Sequence, residues 1–482
     1  MAKAQLDAGQ AIDGFVLEER IHRGGMAAIW RVRRDDIDIP IVMKVPFLDF
    51  EGDLSLLVGF EVEQMIMAEL AGPHVPLLIA NGDLAVQPYI VMEYVPGPSL
   101  LRRLAEGKLP LDEAVRLGIA IADALSDLHQ QHVLHLDLKP ANVLFRADGQ
   151  AVLIDFGLSR HEQLPDLLEE QFHRPTGTPE YMAPEQLLRI RSDRRSDVFA
   201  LGAMLYQMAT GELPFGNPGR MAQVRRRVWR DPVPPRACNP EIPPALQETI
   251  LKCLEPLPDR RPASAEELAF ELRHPDLVAL TERADRSARA GVGATLRRRL
   301  AAGATMRAIQ AEAVRPLPGP PILLVAVDLR PGLDDLQAAL LEQAASVLAN
   351  MPGARLACLN VMQTSLIAID ENVDRQGENI HVQRTAALRR WAQPLGLPRG
   401  KITFHLVESR SIAAGILDFA RSNKVDHLVI GAPPASVATA SRLTAQITAE
   451  APCSVTVVRV ALPRAGEGEE PAATEPAALP GG

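Results

Sequence analysis

The sequence predicts a multi-domain chain in which an α+β unit of two lobes precedes an α/β unit built on a parallel sheet. Three observations carry this expectation. Short apolar runs punctuated by turn residues fill positions 12 to about 95, helical periodicity dominates 111 to about 272, and strands alternate with helices beyond 320. The length of 482 residues agrees, because domains of roughly 100 to 200 residues would make about two to four of them.

Composition removes several alternatives. With 47% hydrophobic and 23% charged residues the chain has ordinary globular proportions, which excludes a collagen-like, wholly disordered or disulfide-framework protein. Sixty acidic against 51 basic side chains leave a formal charge of −9, so no general nucleic-acid partner is expected. Cys238, Cys253, Cys358 and Cys453 are scattered without a CxxC pair, as reduced and mostly buried thiols would be. The opening MAKAQLDAGQ lacks the apolar stretch of a signal peptide, and no run of ~18 apolar residues is present to span a bilayer. The expected location is cytoplasmic.

Taken in order, FVLEERI, AIWRVRR, IPIVMKV and PYIVMEYV read as strands of a small antiparallel sheet, interrupted by one helix over about Leu54 to Leu70. LDEAVRLGIAIADALSDLHQ and ALQETILKCLE are helices of a second lobe, separated by punctuation such as DPVPPRACNPEIPP. The lobes meet near Tyr94 to Leu100, where a cleft is expected, and residues 12–275 form one unit. Positions 276–319 form an arginine-rich, partly helical linker. Over residues 281–310 Arg283, Arg286, Arg289, Arg297, Arg298, Arg299 and Arg307 face only Glu282 and Asp285, a charge run that favours a solvated connection over a basic docking segment.

From 320 to 463, PILLVAVDL, RLACLNVM, KITFHLVE, DHLVIGA and SVTVVRVAL read as strands. Helices are expected over Leu333 to Ala349, IHVQRTAALRRWAQ and SIAAGILDFARSN. Such alternation implies βαβ crossovers on a parallel sheet. Residues 464–482 are too poor in large apolar side chains to pack and should be disordered.

Chemistry concentrates in HLDLKPANVLF (135 to 145) and LIDFGLS (153 to 159). Phosphoryl transfer asks for a carboxylate beside the attacking hydroxyl and for oxygen ligands to a divalent cation, and Asp137, Asn142 and Asp155 supply those groups. This HxDxKxxN and DFG spacing, with APE at 183 to 185, resembles the eukaryotic-type protein kinase catalytic domain from about Ile12 to Leu272.

The resemblance implies a bilobal α+β kinase fold in which Asp137 orients the substrate hydroxyl and accepts its proton, while Asn142 and Asp155 hold Mg2+. It also implies that Lys139 contacts the γ-phosphate of ATP, a lysine that goes with serine/threonine specificity on protein substrates. Lys44 in IVMK would hold the α and β phosphates, with Glu63 in FEVEQ as its helix partner and Glu61 as the neighbouring alternative. Ile29, Val42 and Leu144 match the apolar sandwich around adenine, Met92 the gatekeeper, and the backbone of Glu93 to Val95 the hinge. Glu185 and Arg261 match a buried ion pair that braces the helical lobe, and Asp197 the acid that orients the catalytic loop. Thr178 matches a threonine touching the catalytic Asp and Lys, and Thr176 is the loop residue expected to be modified.

Two departures stand out. Family glycine-rich loops read GxGxxG, but HRGGMA (22 to 27) keeps only Gly24, with Gly25 beside it. Leu136 stands where the family commonly has an arginine that pairs with a phosphorylated loop residue, so activity is expected to depend weakly on such phosphorylation. The retained acids favour an enzyme that also phosphorylates itself. The eroded loop favours the alternative, a pseudokinase scaffold that binds nucleotide or partners without turnover.

ILLVAVD, AAGILDFARSNKVDHLVIGA and APCSVTVVRV resemble the universal stress protein domain, a five-stranded α/β fold. Asp328 matches the acid that meets adenine nucleotide in ATP-binding members. Of that family's phosphate loop, Gly431 is kept, while Pro434, Thr444 and Ala445 replace later positions and weaken the case for a ligand. The resemblance implies dimerisation or signal input, with a homodimer through SVTVVRV, and the fusion of the two families implies bacterial stress signalling.

Overall fold

The computed structural model describes residues 6–24, 27–47, 54–84, 86–172, 174–218, 221–289, 291–312, 320–364, 380–398, 400–432 and 438–460. The expected tail, 464–482, lies outside them, as do Gly25 and Pro434.

The first lobe is a six-stranded antiparallel sheet of β1 (Ala11–Ile12), β2 (Phe15–Arg23), β3 (Ala27–Arg33), β4 (Ile41–Pro46), β5 (Leu78–Asn81) and β6 (Ile90–Glu93), ordered β1-β2-β3-β4-β6-β5. Side chains alternate across a strand, and residues directly opposite one another share a face. The pairings Trp30 with Met43 and Met43 with Val91 therefore build one core, completed by Phe15 and Leu17. The pairings Ile29 with Lys44 and Val42 with Met92 turn those four side chains to the other face, where the cleft lies. Helix α1 (Leu54–Met67) lies in the connection between β4 and β5 and buries Phe60 and Ile66 in the core that continues into the second lobe.

That second lobe contains α2 (Leu100–Leu104), α3 (Leu111–Gln130), the ribbons β7 (Val133–Leu134), β8 (Val143–Phe145), β9 (Ala151–Leu153) and β10 (Arg160–His161), then α4 (Leu167–Gln171) and α5 (Arg195–Thr210). Helices α6 (Met221–Val224), α7 (Pro235–Cys238), α8 (Pro244–Cys253) and α9 (Ala265–Arg273) complete it. On α3 the buried Leu117, Ile121, Leu125 and Leu128 recur at helical spacing and form one stripe. By contrast α5 is buried on nearly every side, as its run VFALGAML demands. The antiparallel pairs β7 with β10 and β8 with β9 hold the loops that carry the motif acids.

Helix α10 (Val292–Glu312) makes the linker helical and leaves most of it exposed, but the segment is tied to the helical lobe at several points. Arg283 bonds Glu248 and Glu255, each at 3.0 Å, while Arg298 pairs with Asp231 and Arg299 lies 5.6 Å from the Trp229 ring. Ile309 is fully buried. Acids and an aromatic on the helical lobe, distant in sequence, thus hold part of the charge run. Of the cysteines, all free, Cys253 and Cys358 are buried, Cys453 is half-buried and Cys238 is exposed.

The last unit alternates β11 (Ile322–Ala326), α11 (Asp334–Ala349), β12 (Arg355–Gln363), α12 (Ile380–Ala392), β13 (Ile402–Ser409), α13 (Ile412–Ser422), β14 (His427–Ala432), α14 (Ala438–Glu450) and β15 (Ser454–Arg459). All four pairings are parallel, in the order β13-β12-β11-β14-β15, with one apolar core on each face of the sheet. Helix α14 was not expected from the sequence, because its Ala- and Thr-rich run ATASRLTAQITAE has a weak apolar stripe. It covers the sheet through Ile447, which is fully buried.

Candidate active site

The loop between β7 and β8 carries Asp137, Lys139 and Asn142, and its backbone is held from below. Buried Asp197 on α5 accepts hydrogen bonds from the Leu136 N–H (2.8 Å) and the His135 N–H (2.9 Å), and its carboxylate also meets His129 Nε2 at 2.9 Å. Burial works against the Asp197 charge, but these neighbours outweigh it and keep the carboxyl below the usual aspartate value. Gln186 donates to the Leu136 carbonyl at 2.7 Å and Ser159 to the His135 carbonyl at 2.9 Å. Leu136 sits at φ 59°, a left-handed conformation costly for a side chain, and this ring of bonds fixes it.

Asp137 is thereby presented with both oxygens engaged. One accepts the Thr178 N–H (2.6 Å) and hydroxyl (2.7 Å), and the other accepts from Lys139 Nζ at 2.6 Å. Lys139 also reaches the Thr178 hydroxyl, at 3.1 Å. The structure thus brings Asp137, Lys139 and Thr178 into one network.

Across the cleft Lys44 Nζ lies 2.6 Å from Glu63 Oε2 and 3.0 Å from Asp155 Oδ1. Burial opposes the Lys44 ammonium, yet Asp155 and Glu63 together hold its pKa above the ordinary lysine value. The same ammonium holds Asp155 below the usual aspartate range, while burial raises the Glu63 carboxyl against the pull of Lys44. Of the two acids open from the sequence, Glu63 makes the pair. Glu61 pairs elsewhere, with Arg389. A close approach permits this: a Cβ on Gly59 of α1 would meet the Gly157 carbonyl at 3.1 Å, so two glycines let the helix lie against the segment that follows Asp155.

The donor set suits a hard divalent cation shared with phosphate. Asn142 gives its amide N–H to the Asp137 carbonyl at 3.0 Å, which leaves its oxygen as the ligand atom, and Asp155 is an ionised carboxylate with one oxygen on Lys44. Among the described residues no group of three or more His, Cys, Asp and Glu side chains forms a metal site. Phosphate and water would have to complete the coordination.

Of the residues that the family likeness assigned to adenine, Ile29, Val42 and Met92 share the Lys44 face, and Leu144 lies on β8 opposite Val152. Val95 is buried, and the Glu93 side chain bonds Arg146 at 2.9 Å, which holds its carboxyl below the usual glutamate value. Gly24 donates its N–H to the Ala27 carbonyl at 3.0 Å.

Glu185 and Arg261 form a doubly bonded pair at 2.7 and 2.8 Å, both fully buried, with Ser196 donating to the same carboxylate at 2.6 Å. Two residues were missed in the sequence. Arg191 donates to the Thr176 hydroxyl (3.1 Å), to Asp166 (2.8 Å) and to the Leu158 and Ser159 carbonyls (3.1 Å each). The cation beside Thr176 therefore comes from another part of the chain than position 136. Arg227 is buried and donates to the Pro179, Glu180 and Met182 carbonyls, and burial pulls its guanidinium down to about 10. It sits in the run RRR, which by itself reads as solvated surface.

In the last unit a cleft of 850 Å³ opens at the C-terminal ends of β11 and β14, where the strand order reverses. Asp328 lines it, with its carboxylate engaged by Arg330 Nε at 2.9 Å. A Cβ on Gly431 would meet Leu336 at 2.9 Å, so packing alone accounts for that glycine. Thr444 lies mid-way along α14 and is buried.

The protein kinase domain family model matches residues 15–272, and the universal stress protein family model matches 321–459. The chain belongs to the protein kinase family, with a universal stress protein domain following the kinase domain. It is 34% identical over 277 residues to serine/threonine-protein kinase pkn3 of Myxococcus xanthus, covering 54% of this chain and 50% of the relative. It is 31% identical over 265 residues to serine/threonine-protein kinase PknB of Mycolicibacterium smegmatis, covering 54% and 42%. The chain spans about 38% of the length of some other curated relatives it matches. The PknI kinase domain of Mycobacterium tuberculosis superposes with a TM-score of 0.45 at 24% identity, over 56% of this chain and all of that one. Kinase family membership implies use of ATP, a divalent metal and protein substrates. Among the described residues no helix is long and apolar enough to cross a membrane.

Proposed function

We propose that residues 12–275 form a serine/threonine protein kinase that transfers the γ-phosphate of ATP to protein hydroxyls, including its own. The observation that carries this is the assembled site: Lys44 held by Glu63 and Asp155 on one side, and Asp137 held by Thr178 and Lys139 on the other. Asp137 would accept the proton of the substrate hydroxyl as it attacks, and Thr178 and Lys139 keep that carboxylate oriented. Lys139 brings a positive charge to the transferred group, and Lys44 brings one to the remaining phosphates. Asn142 and Asp155 would hold magnesium, which when bound neutralises phosphate charge. The position of Lys139 after Asp137 supports Ser/Thr specificity.

The same cluster weighs against the scaffold alternative, since a chain without turnover has no need of an intact Lys44, Glu63, Asp155 and Asp137 set. The second unit supports a role as signal input in a stress response, in the cytoplasm. Its open edge strand β15 is the surface we assign to a homodimer. Phosphate transfer from labelled ATP with magnesium, to the chain itself and to a generic basic protein, tests the kinase reading. Wild type is expected to transfer, and Asp137→Asn to lose roughly 100-fold or more of that rate, as removal of a general base does. No transfer from well-folded wild type at high ATP would overturn the reading in favour of the scaffold.

A further inference from the structure

The two units meet through elements of the kinase site. Glu170 of α4 is 9% exposed and pairs with Arg355 at the start of β12, itself 5% exposed. His405 Nε2 lies 3.2 Å from the same carboxylate, and the Thr403 hydroxyl sits between Arg355 (3.2 Å) and His405 (2.9 Å). Asn423 donates to the Glu170 carbonyl at 3.3 Å. Gly400, at φ 83°, lies so near Leu164 that a Cβ there would meet its Cδ2 at 3.1 Å. A second contact joins Arg389 of α12 to Glu61 of α1, with the guanidinium 4.7 Å from the Phe404 ring.

We propose that Arg389 and Arg355 are positioning residues for phosphoryl transfer: docking of the second unit holds α1, and the stretch from α4 to Thr178, where Lys44, Glu63 and Asp137 are assembled. This inference rests on the kinase reading above. Glu61 and Glu63 are two residues apart, hence about 200° apart around a helix of 3.6 residues per turn. One face of α1 grips Lys44 while the opposite face is gripped by Arg389. At α4, Arg355 fixes Glu170; the preceding Asp166 is bonded to Arg191, and Arg191 holds Thr176, two residues before the Thr178 that orients Asp137.

The sign of the effect follows from what coexists. Contacts that form in one arrangement stabilise that arrangement, and here the docked unit accompanies a closed Lys44–Glu63 pair and a completed Asp137 network. Undocking takes from Glu170 both Arg355 and His405, and with them the tie that holds α4. The second unit thus anchors, through α4, a segment that Leu136, standing where the family has an arginine, has no charge to hold.

The experiment uses the full chain with MgATP and a generic basic substrate protein, and compares wild type, Arg389→Glu, the swap Glu61→Arg with Arg389→Glu, and Glu170→Gln. Amide hydrogen exchange of α1 and of residues 160–172 is read beside the rate. Arg389→Glu is expected to lower kcat on the order of tenfold, within the roughly 5–150-fold typical of coupling between sites, with KM for ATP changed less than kcat. It should speed exchange in α1, and the swap should restore both. Glu170→Gln should lower kcat and speed exchange in 160–172. Unchanged or faster turnover with unchanged exchange, or a folded swap that restores neither, overturns the proposal. If wild type transfers nothing, the kinase reading fails by itself; exchange of α1 still decides whether Arg389 holds that helix, since protection lost in the single variant and regained in the swap supports the contact.

Discussion

The cleft between the kinase lobes and the cleft at the end of the stress-protein sheet both carry an acid that family likeness marks as functional, and they treat it differently. Asp137 is held by Thr178, a residue 41 positions away, and its loop is fixed by Asp197 on α5. Asp328 is held by Arg330, its neighbour but one, in a pair that is largely exposed. In the first cleft the tertiary structure converges on the acid from several elements; in the second only local chain does. Cross-tied geometry is what electrostatic preorganisation requires, and a local exposed pair does not provide it.

That contrast can be broken or sharpened by substitution. The largest expected effect outside the reacting groups is at the brace of the helical lobe. Arg261→Ala leaves Glu185 charged and fully buried without its partner, and should cost about 3–5 kcal/mol of stability, read by denaturant unfolding. Were the loss under about 1 kcal/mol, as for an exposed pair, the pair would not be the brace described here.

Next comes Thr178→Ala, which removes one of the two Asp137 contacts made by that residue and the Lys139 contact but leaves the backbone N–H. A hydrogen bond to a charged group is worth about 1.5–3 kcal/mol, so transfer should slow by roughly tenfold to 100-fold while thermal unfolding stays near wild type. An unchanged rate would place Thr178 outside the catalytic network.

The smallest effect is expected at Asp328→Ala. Loss of its exposed pair with Arg330 should change stability by less than about 1 kcal/mol, and ATP titration of the variant should match wild type if that cleft does not use this acid for nucleotide. A marked loss of nucleotide binding at the second unit would erase the contrast and restore the family's ligand to it.

Much of this was readable in the chain. Strands β2, β3, β4 and β6 and all five of the parallel sheet follow from apolar runs, though β1 and β5 did not stand out, and the spacing of Asp137, Asn142 and Asp155 follows from fixed loop chemistry, so a local pattern was enough to find those. Glu63 could be narrowed to one of two acids and no further, since both lie near the right turn of α1 and only the packing of Gly59 on Gly157 settles which one faces Lys44. Arg191 and Arg227 were invisible for a different reason: arginines in charged runs look solvated, and burial depends on carbonyls brought from 32 to 48 positions away.

By itself, then, the sequence determined two fold units, their order, and the groups proposed to meet phosphate, because periodicity and motif spacing are properties of the local chain. The tertiary structure alone decided how those groups are held and what the units do to each other. Arg283, Arg298, Arg355 and Arg389 carry the same charge on paper. Which of them docks a linker helix and which grips α1 or α4 depends on the acids that folding sets opposite, and on the desolvation that makes an unpaired partner costly.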